Sequence, residues 1–195
     1  TAIARHWLLP RLADLHTQHP GIDLWLFTSD DTPNMAEQTI DISLRWGLAP
    51  QAECRHQPLL ADRLLPVASP AVLAQPAQER TTLHGEREMD WHHWTLKGGD
   101  DLHLQTQGLN FSDPGLLQDA ASAGLGVALA SELLSRDARR QGWLLPLSSH
   151  RVAGPNWNML IHQESEGSPQ CRAVSHWLQQ QFAAEAATRD QDATL

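Results

Sequence analysis

The chain has 195 residues, 41% of them hydrophobic and 19% charged. That is enough to bury a core in one domain or two small lobes, and too apolar for wholesale disorder. The net charge of −9 makes the segment a poor nucleic-acid surface by itself, because such surfaces draw on Lys and Arg facing phosphates, and no apolar run approaches the length of a membrane span.

Leu8, Leu12 and Leu15 recur at i, i+4 and i+7, which predicts a helix over residues 6–18 with Pro10 tolerated in its first turn and His19-Pro20-Gly21 as its stop. Ile22, Leu24 and Leu26 alternate as a strand. Asp30 or Asp31 can cap a short helix through Met35 and Ala36, and Ile40, Ile42 and Leu44 form the next strand, closed by Gly47. A third strand fits Leu64 to Ala68. Ser69 then caps a short helix with Pro70 at its first position. Residues 75–90 are polar and read as a loop, followed by the Trp91-His92-His93-Trp94 cluster.

A second βα series follows. His103 to Phe111 is extended, Ser112-Asp113-Pro114 starts a helix, and Leu116, Leu117, Ala120 and Ala121 suit its buried face. Gly124-Leu125-Gly126 breaks that helix before a strand at Val127 to Ala130. Ser131 caps a helix reaching about Gln141, which Gly142 ends. Trp157 to His162 forms a strand. Ala173, Val174, Trp177, Leu178 and Phe182 mark a closing helix, with a frayed tail after about Thr188. Strands alternating with helices of this length indicate α/β architecture with mostly parallel sheets. The six residues before Trp7 leave little room for a preceding strand, and the chain opens at Thr1 without a Met, as a fragment or processed product does.

Several segments together resemble the effector-binding domain of LysR-type transcriptional regulators. They are Trp7-Leu8-Leu9-Pro10-Arg11-Leu12, His19-Pro20, Asp41 through Gly47, Pro66-Val67-Ala68-Ser69-Pro70, Phe111-Ser112-Asp113, Ala120 through Leu129, and Trp177-Leu178. The opening motif looks like that of the subgroup holding the glycine-cleavage and β-lactamase activators. The resemblance implies two Rossmann-like lobes joined by crossing strands, similar in outline to a type II periplasmic binding protein, with a ligand in the cleft between them. Lobe I would hold residues 1–67 and 163–195, and lobe II residues 68–162. The family's N-terminal winged helix-turn-helix is absent from this chain, so DNA would be reached only through that missing domain. Segment 75–90 is shorter than is usual in the family. Asn158 and Met159 stand where many relatives carry paired tyrosines, in a chain with no Tyr at all.

By resemblance, Thr1, Ala2, Trp46, Gly47, Ser69, Ser112, Asp113 and Trp157 are the candidate ligand-binding residues. Each has a plainer reading beside it. Ser69 and either Ser112 or Asp113 are helix caps, Gly47 closes a turn, Trp46 packs as core, and Ala2 stands where relatives carry a hydroxyl. An Asp113 carboxylate could meet a ligand ammonium or hydroxyl, so an amino acid or small carboxylate is the expected effector class. Trp7, Leu9 and Leu12 are the expected dimer contacts, in a homodimer or homotetramer, with burial inside one subunit as the alternative.

No catalytic set is assembled in the sequence, and no cofactor or metal is expected. His16 with His19 and His92 with His93 lack the spacing of a zinc site, and Gly124-Leu125-Gly126 follows a helix rather than a strand, unlike a dinucleotide loop. Cys54 and Cys171 lie outside any Cys-x-x-Cys pattern and read as reduced thiols in the cytoplasm or as one disulfide. The expectation is therefore a cytoplasmic sensor that contacts no membrane and performs no chemistry. A periplasmic solute-binding protein of similar outline is the other reading left open.

Overall fold

The computed structural model describes residues 1–29, 34–35, 39–47 and 51–192. Helical structure opens at Ala2, earlier than the spacing of the leucines indicates, and changes character along its length. Ala4–Leu8 is a π-turn, Leu9–Arg11 a 3-10 turn and Leu12–Gln18 (α1) an α-helix. Pro10 therefore lies mid-helix rather than in a first turn. A proline there has no N–H and its ring crowds the carbonyl four residues back, so regular α-hydrogen bonding fails around it and the neighbouring turns loosen and tighten. The end is as expected, with the His19 N–H closing on the Leu15 carbonyl at 2.9 Å.

Residues 22–29 are not in a strand, contrary to the alternation of Ile22, Leu24 and Leu26. Alternation describes one side of a ladder, and no described strand runs beside this segment to supply the other. Leu24, Trp25, Leu26 and Phe27 are all exposed, Trp25 to 91%. The helix expected from Asp30 or Asp31 through Ala36 lies outside the described residues, apart from the buried Met35.

Ile42–Trp46 (β1) ends at Gly47, whose φ of +86° favours glycine. Cys54–Ala68 (β2) is far longer than the Leu64–Ala68 strand the sequence marks, because its first half carries too few apolar residues to be seen by pattern. Ser69 caps Pro70–Leu73 (α2), its side chain accepting from the Val72 N–H at 3.4 Å. Within the expected 75–90 loop the chain forms a three-residue strand, Thr82–His84 (β3), flanked by 3-10 turns. Trp91–Leu96 (α3) follows, and of the extended 103–111 stretch only Gly108–Asn110 (β4) is strand.

Pro114–Ser122 (α4), Ala128–Ser131 (β5) and Glu132–Arg140 (α5) appear where the sequence places them. Both helices end in a glycine at positive φ. Gly124 and Leu125 donate back to Ala121 and Ala120, and Gly142 and Trp143 to Arg139 and Ala138, the paired bonds of a Schellman end. Leu145–Pro146 (β6), Val152–His162 (β7) and Pro169–Asp192 (α6) complete the chain, the last running past the expected fraying point at Thr188.

Pairing is less parallel than the βα alternation suggests. β1 pairs antiparallel with β7, and β2 pairs antiparallel with both β5 and β6; β3 with β4 is parallel, as is a bridge from Thr82 to Val127. The chain divides into two compact units, one of Thr1, Pro10–Ala61 and Pro155–Leu195, the other of Ala2–Leu9 and Asp62–Gly154. β2 and β7 carry the chain from one to the other.

The first unit buries Leu15 of α1, Met159, Leu160 and Ile161 of β7, and Trp177, Leu178 and Phe182 of α6. The second buries Leu64, Leu65 and Val67 of β2 with Leu83, Leu117, Val127, Leu129 and Leu134. Gly126 is the tight point of that core. A Cβ on it would lie 2.2 Å from the Thr81 carbonyl oxygen, which accepts from the Val127 N–H at 2.9 Å. Gly126→Ala is expected to destabilise the chain by about 2 kcal/mol through overpacking, read as a fall in the urea midpoint; an unchanged midpoint would mean the strand has room to move.

Candidate functional site

In the first unit, β1 and β7 bring three of the expected ligand residues together. Trp46 and Trp157 are register partners on adjacent strands, with ring centroids 6.1 Å apart and planes tilted by 36°. Gly47 follows at once, its N–H donating to the Asn156 carbonyl at 2.8 Å. Trp157 is buried and Trp46 half-buried, so the pair joins a core indole to one that still meets solvent. Beside them, and unforeseen, the Asn158 Nδ2 donates to the Gly47 and Asn156 carbonyls, and its Oδ1 lies 3.0 Å from the His56 Nε2.

In the second unit the N-terminus of α4 gathers others. Asp113, not Ser112, is its N-cap, the carboxylate accepting from the Leu116 N–H at 2.6 Å; Ser112 is exposed. Ala2 is buried against this turn, its Cβ 3.3 Å from where a Cβ of Gly115 would lie. Ser69 is buried at the start of α2 and faces Gly124, 3.4 Å from where a Cβ of that glycine would lie. Thr1 is exposed and belongs to the first unit. Of the expected dimer contacts, Trp7 is fully buried within the chain, Leu12 is half-buried and Leu9 is 53% exposed.

His6 and Gln118 were missed by sequence reasoning, being 112 residues apart with no local signal joining them. The buried Gln118 amide donates to the His6 Nδ1 at 3.2 Å and to the Leu134 carbonyl at 3.1 Å. An Nδ1 that accepts leaves the imidazole proton on Nε2, which is buried with no hydrogen-bond partner among the described residues and lies 3.7 Å from the Asp119 carboxylate. Burial pushes the His6 pKa below its ordinary value, and Asp119 works against that shift. A folded-state pKa below the unfolded one means the unfolded chain takes up the proton first. Stability on this account is complete above pH about 6.5 and is lost as pH falls through the folded-state pKa. His6→Gln is expected to flatten the fall in melting temperature between neutral and mildly acid pH; a variant with the wild-type slope would place the proton uptake elsewhere.

Both cysteines are free thiols rather than a disulfide, and burial pushes both their pKa values up, so neither is primed as a nucleophile. Among the described residues no three His, Cys, Asp or Glu side chains are grouped to hold a metal, and no helix is long and apolar enough to cross a membrane.

The chain matches the LysR substrate binding domain over residues 1–183. It is 28% identical over 194 residues to the glycine cleavage system transcriptional activator of Escherichia coli, covering 94% of this chain and 63% of that protein. To the HTH-type transcriptional activator AmpR of Pseudomonas aeruginosa it is 30% identical over 190 residues, covering 94% and 64%. The chain thus spans a little under two thirds of the length of these relatives. Both of those relatives are transcriptional activators. Among solved structures, the effector domain of AmpR from Pseudomonas aeruginosa superposes with a TM-score of 0.78 at 24% identity, covering 97% of this chain and 95% of that one. The regulatory domain of CrgA from Neisseria meningitidis gives 0.71 at 21%, covering 93% and 95%. These likenesses establish the fold as that of LysR effector domains, and with a family match running through nearly the whole sequence, the chain belongs to the LysR substrate-binding domain family.

Proposed function

We propose that this chain is the small-molecule-sensing and oligomerisation domain of a LysR-type DNA-binding regulator working in the cytoplasm. The observation that carries the reading is the family match over residues 1–183, which draws on both compact units and takes in every expected ligand residue. The net charge of −9 supports a division of labour in which DNA contact falls to a separate N-terminal domain. Trp46, Gly47 and Trp157 of one unit, and Ala2, Ser69, Ser112 and Asp113 of the other, are the residues we assign to effector binding, with Thr1 at the chain's start. Effector binding regulates only if it favours one arrangement of the regulator over another. The half-exposed Leu9 and the neighbouring Leu12 are the side chains the first helix offers to a second copy.

The Asp113 carboxylate beside the first turn of α4 supports an amino acid or another small carboxylate as effector, the acid group meeting an ammonium or hydroxyl and backbone N–H groups meeting a carboxylate. A thermal-shift screen of free amino acids and small carboxylates tests this. A compound at 100 times its dissociation constant stabilises the fold by about 2.7 kcal/mol. Asp113→Ala should remove the shift while lowering intrinsic stability by only about 1 kcal/mol, the worth of the cap. No hit from either class overturns the effector class, and an undiminished shift in Asp113→Ala removes Asp113 from the site.

A further inference from the structure

The corner at Trp46 and Gly47 is held by a side chain that spends both of its N–H bonds on the backbone. Asn158 is 4% exposed, and its Nδ2 donates to the Gly47 carbonyl at 2.8 Å and to the Asn156 carbonyl at 2.9 Å. A carboxamide has two N–H bonds and one oxygen, so with both N–H bonds spent on carbonyls the oxygen must be the atom facing His56. At 3.0 Å from that oxygen, the His56 Nε2 must then be the donor, which settles its tautomer as Nε2–H. His56 comes from β2, Asn158 from β7 and Gly47 from the end of β1, so one amide ties three separate stretches of chain. The tie falls where the backbone is least able to hold itself, since a glycine at φ +86° has the widest conformational choice once unrestrained. The Gly47 N–H is bound to Asn156 and its carbonyl to Asn158, so both of its backbone polar groups are anchored on β7. The residue before it carries the half-exposed indole that faces Trp157.

We propose that Asn158, oriented by His56, is the positioning residue for the Trp46–Gly47 corner, fixing the angle at which the Trp46 indole is presented to an effector. The inference rests on the reading of Trp46 and Gly47 as effector-binding residues, yet the positioning is measurable without any effector. Two tilted indoles at this separation couple, and the coupling appears as an exciton couplet in the far-ultraviolet circular dichroism. Trp46→Phe and Trp157→Phe, each of which should abolish the couplet, identify it. In Asn158→Ala the couplet should be lost while unfolding stays cooperative, because a residue that merely adds stability would lower the melting temperature and leave the couplet intact. His56→Leu, which keeps the Nδ2 bonds but removes the donor that orients the amide, should weaken the couplet; His56→Gln, which restores a donor, should recover it in part. If Asn158→Ala does not fold, the His56 pair decides. Absence of the couplet in the wild type, or a couplet of wild-type strength in both Asn158→Ala and His56→Leu, overturns the proposal. Failure of the effector reading is a separate result, in which the couplet behaves as described but no amino acid or carboxylate shifts the melting temperature.

Discussion

Replacing Trp177 with alanine is expected to lower the unfolding free energy by about 4 kcal/mol, the usual range for deleting a large, fully buried aromatic side chain. Trp177 lies on α6 at 1% exposure, and its indole N–H donates to the Asp14 carboxylate on α1 at 2.7 Å. The same carboxylate oxygen accepts from Gln18 at 2.9 Å and from Gln181 at 3.1 Å, so one acid gathers donors from both helices. For a chain of this length the loss corresponds to roughly 8–16 °C in melting temperature. Trp177→Phe should keep most of the packing and lose only the N–H. The two variants therefore separate the cavity from the hydrogen bond, and a Trp177→Phe as damaging as the alanine would mean the bond dominates. The Trp177 N–H, with Gln18 second, holds the Asp14 carboxyl below its ordinary range. Its contribution is present above the usual carboxylate pKa and is lost as pH falls through the folded-state value, and Trp177→Phe should shorten that acid limb.

Asp62→Ala is the second large effect, at about 3 kcal/mol. Asp62 is 2% exposed at the point where β2 enters the second unit. One carboxylate oxygen accepts from the Ser131 hydroxyl at 2.5 Å, and the other from the Arg63 N–H at 2.9 Å and the Leu133 N–H at 3.4 Å. Ser131 in turn caps α5 by accepting from the Leu134 N–H at 3.2 Å. The acid thus answers the unpaired N–H groups and the positive end of that helix directly and through the cap. Arg63 grips Glu132, the first residue of α5, at 2.6 Å, and Arg151 approaches the same carboxylate at 3.5 Å. An alanine at position 62 removes the carboxylate that accepts from the buried Ser131 O–H and from the Leu133 N–H in the first turn of α5. Ser131→Ala should cost about 1–2 kcal/mol. The double variant should cost less than the sum, because both remove one network. Urea unfolding of the three variants measures this, and strict additivity would refute the coupling.

Legibility followed distance along the chain. The caps at Ser69, Asp113 and Ser131 and the glycine ends at Gly124 and Gly142 were readable because each bond spans only a few residues. Between Ser112 and Asp113 the sequence could not choose, since both types cap well, and only the register of α4 selected Asp113. β3 was hidden because three residues in a polar stretch carry no periodicity, and the first half of β2 because only Leu60 of its first seven side chains is buried. The opening helix was misplaced at its start because Pro10 is an ordinary first-turn residue, and its toleration mid-helix depends on π and 3-10 turns that no pattern announces. Trp7 looked available to a second subunit from its position off the Leu8-Leu12-Leu15 face, but packing buried it completely.

What the sequence by itself determined is the family and the local punctuation of the fold. Family membership rests on the order of short motifs from Trp7 to Trp177, and punctuation on residues that satisfy their own neighbours' N–H and carbonyl groups. What the tertiary structure alone decided are the long-range ties within each unit: Asn158 to Gly47 across 111 positions, His6 to Gln118 across 112, and Asp62 to Ser131 across 69. Each is an ordinary polar side chain in sequence. It gains meaning only when burial removes water and leaves the partner brought by the fold as the group that can satisfy it.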